Sequence, residues 1–244
     1  MQEDIEVVVI DIGNTTIKSA EVRDGQFSNQ KYWKSTEDLL NFYSTEFLAI
    51  STVRDHVEKL KGQFQNPRIL VLDPSLALPI RLAYDTIETL GIDRIALSVG
   101  ANHLFPGQNN LVIDLGTCVT LDLVDDKGVF RGGTISPGLS MRMKAMAHYT
   151  SNLPDISNEW QKIPEQTLGQ STKTCLLNGS LKGLLYEING TLETLKQDFA
   201  SLNIILCGGD AQFFESRIKA HIFAGSKIVE LGIYRIWKHQ SNIS

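Results

Sequence analysis

The sequence has little cysteine, no basic run and no long apolar stretch, and each shortage excludes a class of protein. Cys118, Cys175 and Cys207 are the only cysteines, far apart and in no Cys-x-x-Cys spacing. That excludes a disulfide scaffold or a zinc ribbon, and their apolar neighbours make them read as reduced, buried and structural. The 5 histidines form no spaced cluster, which argues against a histidine metal site. No segment approaches the roughly 20 apolar residues needed to cross a bilayer, and the acidic start Met1-Gln2-Glu3-Asp4 is unlike a signal peptide. The expectation is a cytoplasmic chain that engages no membrane. A net charge of −5 without a Lys/Arg cluster argues against nucleic acid as a partner. With 42% hydrophobic and 21% charged residues in 244, the chain is globular and long enough for two modest domains.

What is present is a hairpin signature, twice. Val7-Val8-Val9-Ile10-Asp11-Ile12-Gly13-Asn14-Thr15-Thr16-Ile17-Lys18 and Leu111-Val112-Ile113-Asp114-Leu115-Gly116-Thr117-Cys118-Val119-Thr120 each read as strand, tight turn, strand, with a carboxylate at the end of the first strand. A shift of 103 residues, the distance from Asp11 to Asp114, also pairs Val9 with Val112, Ile10 with Ile113, Gly13 with Gly116, Gly25 with Gly128 and Phe27 with Phe130 without a gap. Two copies of one hairpin imply two similar domains facing one cleft. A glycine two residues after the aspartate lets the backbone turn with positive φ and leaves its N–H groups open to a ligand. Those N–H groups, with Asn14, Thr15 and Thr16 or Thr117, can donate to phosphate oxygens, while the carboxylate holds a cation or orients water. A single Asp-x-Gly turn is an ordinary capped hairpin; repetition in register points to a phosphate clamp.

In chain order, the first half reads three strands, a helix from Ser35, a strand at 47–52, an amphipathic helix over 55–64 and a buried strand at 68–72. That order belongs to an α/β domain with a mixed sheet. The aromatics Tyr32, Trp33, Phe42, Tyr43 and Phe47 fall at strand and helix spacing and are expected in the core. Gly91-Ile92-Asp93-Arg94 opens another helix, and Pro106-Gly107-Gln108-Asn109-Asn110 is the clearest breakpoint, giving domains of 1–108 and 109–244. After the second hairpin, Gly132-Gly133-Thr134-Ile135-Ser136-Pro137-Gly138 precedes a helix whose N-terminal amides are candidate anion donors. A polar stretch over 150–166 reads as a mobile loop, 172–199 as one long helix, and Gly208-Gly209-Asp210-Ala211 as a tight turn from strand to helix.

The assembly resembles the acetate/sugar kinase, actin and heat-shock ATPase superfamily, and within it type III pantothenate kinase. The motifs that carry the likeness are Asp11-Ile12-Gly13-Asn14-Thr15, Gly91-Ile92-Asp93-Arg94, Asp114-Leu115-Gly116-Thr117, the Gly132 to Gly138 bend and Cys207-Gly208-Gly209-Asp210-Ala211. The resemblance implies two duplicated ribonuclease-H-like domains, each a mixed five-stranded sheet flanked by helices. It implies ATP-dependent phosphorylation of pantothenate to 4′-phosphopantothenate, the first step of coenzyme A synthesis. By the same resemblance Asp11, Ile12, Gly13, Asn14, Thr15, Thr16, Ile17 and Lys18 form the ATP phosphate loop, with Thr117 as a further ATP contact. Tyr84, Gly91, Ile92, Asp93 and Arg94 bind pantothenate, Asp93 is the general base, and Thr172 touches substrate. Asp114 holds a monovalent cation, potassium or ammonium; Mg²⁺ accompanies ATP; and the chain forms a homodimer.

The residues are compatible with that chemistry, since phosphoryl transfer needs positioning and charge neutralisation more than covalent catalysis. Arg94, beside the base, is a candidate partner for the pantothenate carboxylate. The paired hairpins alone also permit a sugar or acetate-type kinase, or a nucleotide-binding regulatory protein without activity. Chain length and Gly-Ile-Asp-Arg speak against the first, and retention of Asp11, Asp93 and Asp114 against the second. Departures from the family pattern are Cys118, Cys207 and the looser Leu168-Gly169-Gln170-Ser171-Thr172 segment.

Overall fold

The computed structural model describes residues 5–43, 46–53, 68–160, 163–199, 201–225 and 227–243; the helix expected over 55–64 lies outside them. The first sheet is built from β1 (Val7–Ile12), β2 (Ile17–Arg23), β3 (Gln26–Trp33), β4 (Leu48–Thr52) and β5 (Ile69–Val71), in the order β3-β2-β1-β4-β5. β1 pairs antiparallel with β2 and parallel with β4, so the sheet is mixed. Val8, Ile10, Ile17, Leu48 and Ile50 pack with Leu39 of α1 (Thr36–Phe42), whose start is capped by Ser35, while the edge strand β3 is polar and largely exposed.

The second sheet has six strands. They are β6 (Arg81–Leu82), β7 (Asn110–Leu115), β8 (Cys118–Val124), β9 (Val129–Pro137), β10 (Asn203–Cys207) and β11 (Ile222–Ala224), ordered β11-β10-β7-β8-β9-β6. Read from β9 to β11 it repeats the order of the first sheet, so the duplication is one of topology as well as sequence. The two mixed sheets with their helices form the duplicated ribonuclease-H-like fold. The extra strand β6 joins because the edge of β9 offers unpaired backbone: Arg81 N–H donates to Gly128 O at 2.9 Å and Ala83 N–H to Phe130 O at 3.0 Å. That pairing sets Tyr84 against Phe130, ring centroids 5.9 Å apart.

The chain divides into two compact units, one of residues 1–110, 122–132 and 227–244, the other of 111–121 and 133–226. In the first, α2 (Ile92–Leu104) packs on α7 (Ile228–Ser241) with almost no gap. A Cβ on Gly232 would lie 1.7 Å from Ala96 O, and one on Gly100 would lie 2.4 Å from Ile228 O. In the second are α3 (Leu139–Tyr149), α4 (Thr172–Leu177), α5 (Gly183–Asp198) and the short α6 (Ala211–Phe214). The helix expected over 172–199 is interrupted by one π turn at Asn178–Lys182, which includes Gly179. Within 150–166 the described residues form no helix or strand, yet Ile156 and Ser157 are buried and Trp160 meets Phe213 edge to face at 4.9 Å.

Three local expectations need correction. Positive φ falls not on Gly13 or Gly116 but on Gly25 (+74°) and Gly128 (+67°), the equivalent turns one strand later. At Gly13 and Gly116 a Cβ would make only ordinary van der Waals contacts, 3.4 Å from Thr16 O and 3.5 Å from Cys118 O, so neither turn requires a glycine by φ or by space. Of the cysteines only Cys207 is buried; Cys118 is half-buried and Cys175 exposed, because it sits on the outer face of α4. Of the aromatics, Tyr43 is core and Trp33 packs against it, whereas Tyr32, Phe42 and Phe47 are exposed because they lie on outer faces of their elements.

Substituting Gly232 by Ala should destabilise the protein by about 1–3 kcal/mol through overpacking on Ala96. Gly190→Ala, on the exposed face of α5 with nothing within 4 Å of the new methyl, should stabilise it by about 0.5–1 kcal/mol. Urea unfolding of the two variants checks both; equal shifts would contradict the helix contact.

Candidate active site

Asp11 lies at the end of β1, directly across the ladder from Lys18 of β2. Side chains opposite one another on an antiparallel pair share a face, and Lys18 Nζ lies 3.6 Å from Asp11 Oδ2. The same ammonium is 3.3 Å from Glu230 Oε1 of α7. Glu230 is buried and accepts a second hydrogen bond, 3.2 Å, from Gln30 of β3. Beyond the pair, Asn14, Thr15 and Thr16 form an exposed tip closed by Gly13 N–H donating to Thr16 O at 2.9 Å. Ile12 and Ile17, expected in the phosphate loop, are buried, so they contribute backbone only.

Burial pushes the Asp11 carboxyl up to about 6, against the lowering pull of Lys18; the neighbouring charges of Asp93 and Glu230 push it further the same way. Asp93 is therefore part of the same electrostatic cluster. It stands in the first turn of α2, where Gly91 precedes the helix without a side chain: a Cβ there would lie 2.5 Å from Asp93 Oδ1. That oxygen accepts the Arg94 N–H at 2.8 Å. Burial raises the Asp93 carboxyl, and the Arg94 N–H and guanidinium only partly offset it.

Arg94 turns inward. Its Nε donates to Asp122 Oδ1 at 3.0 Å and its Nη2 to the same oxygen at 2.5 Å, with both residues buried. The guanidinium lies 5.9 Å from the Tyr84 ring centre and 5.7 Å from that of Phe130. Burial alone would lower its pKa, but Asp122 and the Tyr84 hydroxyl raise it above the usual value. Asp122 and Glu230 were not legible as site residues in the sequence. For Asp122 a signal existed, an acidic side chain within a strand buried along almost its whole length; for Glu230 there was none beyond its place on an amphipathic helix.

The second unit carries the other hairpin. Strands β1 and β7 have the same exposure profile, with the aspartate alone half-buried. Here Asp114 is approached by the Gly208-Gly209 turn, where Gly208 has φ +96° and a Cβ on it would lie 2.5 Å from Asp114 Oδ1. Thr117 is exposed, and its carbonyl accepts Gly138 N–H at 3.1 Å at the start of α3. Asp210 N–H donates to Leu115 O at 3.0 Å, and burial raises the Asp210 carboxyl. Thr172 is exposed at the first position of α4, behind the Ser171 cap. Among the described residues no group of three or more His, Cys, Asp and Glu side chains could hold a metal ion, and no helix is long and apolar enough to cross a membrane.

Residues 7–194 match the family model described as type III pantothenate kinase. Relatives named type III pantothenate kinase include one from Cytophaga hutchinsonii, 39% identical over 94% of this chain and 97% of its own. Another, from Flavobacterium psychrophilum, is 35% identical over 96% and 99%. Among solved structures, a Baf family chain from Campylobacter jejuni superposes with a TM-score of 0.66 at 23% identity, covering 96% of this chain and 99% of that one. An inorganic polyphosphate/ATP-glucomannokinase from Arthrobacter sp. strain KM gives 0.51 at 13% identity, covering 99% and 100%. Both likenesses are of fold.

Asp11 gives a pH dependence of known sign. The folded carboxyl keeps its proton to higher pH than the unfolded chain's, so its contribution to stability is present below about pH 4 and is lost as the pH rises through about 6. Asp11→Asn should flatten that part of the stability curve and leave the ligand-free protein more stable at pH 8. Urea midpoints between pH 4 and pH 8 check it; a parallel curve would contradict the burial of the charge.

Proposed function

Because the chain belongs to the type III pantothenate kinase family, whose members use ATP to phosphorylate pantothenate in coenzyme A biosynthesis, we propose that Asp93 is the general base of that transfer and that the Asp11 to Lys18 turn holds the phosphates of ATP. The chain is a pantothenate kinase, a transferase taking MgATP and pantothenate to 4′-phosphopantothenate. The observation that carries the residue roles is that Lys18, 3.6 Å away, and Asp93 both act electrostatically on the Asp11 carboxyl.

The turn 13–16 presents backbone N–H groups and the side chains of Asn14, Thr15 and Thr16 to anionic oxygens, and Lys18 adds a positive charge at its base. Thr117 is a further donor to ATP. Asp93, made more basic by burial, accepts the proton of the pantothenate hydroxyl as the bond to phosphorus forms, and the helix start fixes its direction. Tyr84, Gly91, Ile92, Arg94 and Thr172 make the pantothenate site. Arg94 serves it while locked to Asp122, since a guanidinium has five N–H donors and the fork uses two.

Asp114 holds the monovalent cation, potassium or ammonium. The donors there, one carboxylate and turn carbonyls, are hard oxygens suited to such an ion. The position that matches Lys18 under the 103-residue shift is Leu121, so the lysine that faces Asp11 across the first hairpin has no counterpart at that position in the second. Bound there, the cation neutralises phosphate charge; Mg²⁺ enters with ATP. The two ribonuclease-H-like domains are taken as 1–108 and 109–244, and the enzyme works in the cytoplasm. A homodimer is supported by Ile135, Met141 and Tyr186, all exposed and flanking the Ser136, Arg142 and Glu187 hydrogen-bond network.

Asp93→Asn should lower kcat by on the order of 10²–10⁴ while MgATP affinity stays within about twofold. Coupled-enzyme assay and calorimetric titration measure the two; an active Asp93→Asn enzyme would overturn the base assignment.

A further inference from the structure

Glu230 lies on α7, more than 200 positions along the chain from Lys18, yet its carboxylate reaches that ammonium at the base of the phosphate loop. Three elements meet there: Lys18 from β2, Gln30 from β3 and Glu230 from α7. The Glu230 side chain is 3% exposed, against 20% for Lys18 and 16% for Asp11, so Glu230 is the deepest of the three charges and holds the ammonium from the interior side. Both hydrogen-bonded contacts use Oε1, and Oε2 is buried with no hydrogen-bond partner among the described residues. A buried carboxylate so incompletely satisfied is costly, which makes a purely structural use of it a poor bargain.

We propose that Glu230 is a positioning residue for nucleotide binding: it anchors the Lys18 ammonium from below, so that the lysine stands at the base of the loop before the polyphosphate arrives. Asp11 cannot do this alone. Its contact with Lys18 is the longer of the two, and burial leaves its carboxyl only weakly acidic. A lysine loses rotamer freedom when it is fixed against a ligand, and an anchor that fixes it in advance favours the bound state. The anchor is itself fixed, because Gly232, two residues along α7, lies against Ala96 of the helix that bears Asp93. One helix contact thus holds both the loop lysine and the base.

The inference rests on the assignment of Lys18 to the phosphates of ATP, and a double-mutant cycle separates the two. MgATP affinity by calorimetry, with kcat and both KM values, is measured for Glu230→Gln, Lys18→Met and the double variant, with thermal unfolding as a check on folding. Glu230→Gln keeps the shape and removes the charge; the KM for MgATP should rise about tenfold with the KM for pantothenate within about twofold. In the Lys18→Met background the same substitution should change nothing further. Glu230→Asp, which keeps the charge at shorter reach, should recover part of the loss and enters the same cycle if Glu230→Gln does not fold. Equal losses with and without Lys18, or an unchanged KM for MgATP in Glu230→Gln, overturn the anchor. Undiminished MgATP affinity in Lys18→Met overturns the assignment of Lys18 instead.

Discussion

The candidate site depends on one buried ion pair, Arg94 with Asp122. Both side chains are almost free of solvent, 6% and 1% exposed, so either charge alone would be a heavy burden on the fold. Together they make a forked pair of directional bonds, and direction is what the site needs. Arg94 stands in the first turn of α2, so pinning its guanidinium to β8 pins the turn that carries Asp93. The aromatic faces of Tyr84 and Phe130 enclose the cation and exclude water from the pair. Burial of Asp93 itself raises its carboxyl, and the Arg94 N–H and guanidinium beside it offset only part of that rise.

Two copies of one hairpin have been given different electrostatic tasks by their neighbours. Both end their first strand on a half-buried aspartate with an identical pattern of burial around it. In the first copy the facing residue is Lys18, and a second carboxylate from α7 completes the cluster. In the second copy the matching position is Leu121, and a glycine turn closes on Asp114 instead. Duplication supplied the backbone, and single substitutions on it divided the roles.

The hairpins, their aspartates and the mixed sheets were legible in the sequence because period-two apolar runs and Asp-x-Gly turns are local signals. Asp93 was legible as the first turn of a helix, and its catalytic reading came from resemblance. Arg94 shows the limit of local reading: its charge suggested a carboxylate ligand, and its fork to Asp122, 28 positions away, is a tertiary fact. Glu230 is farther still from Lys18 in the chain and has no motif around it. Strand β6 was missed because two residues added to a sheet edge have too little pattern to show. The π turn at Asn178–Lys182 was missed because it keeps ordinary helical dihedrals at both ends.

The account stands on the transfer itself, and the most direct measurement is ADP release from MgATP by the purified protein in potassium buffer, with pantothenate and with a panel of sugars and acetate as acceptors. The account requires turnover that depends on pantothenate and is absent with the other acceptors. Turnover with a sugar or acetate and none with pantothenate would contradict it.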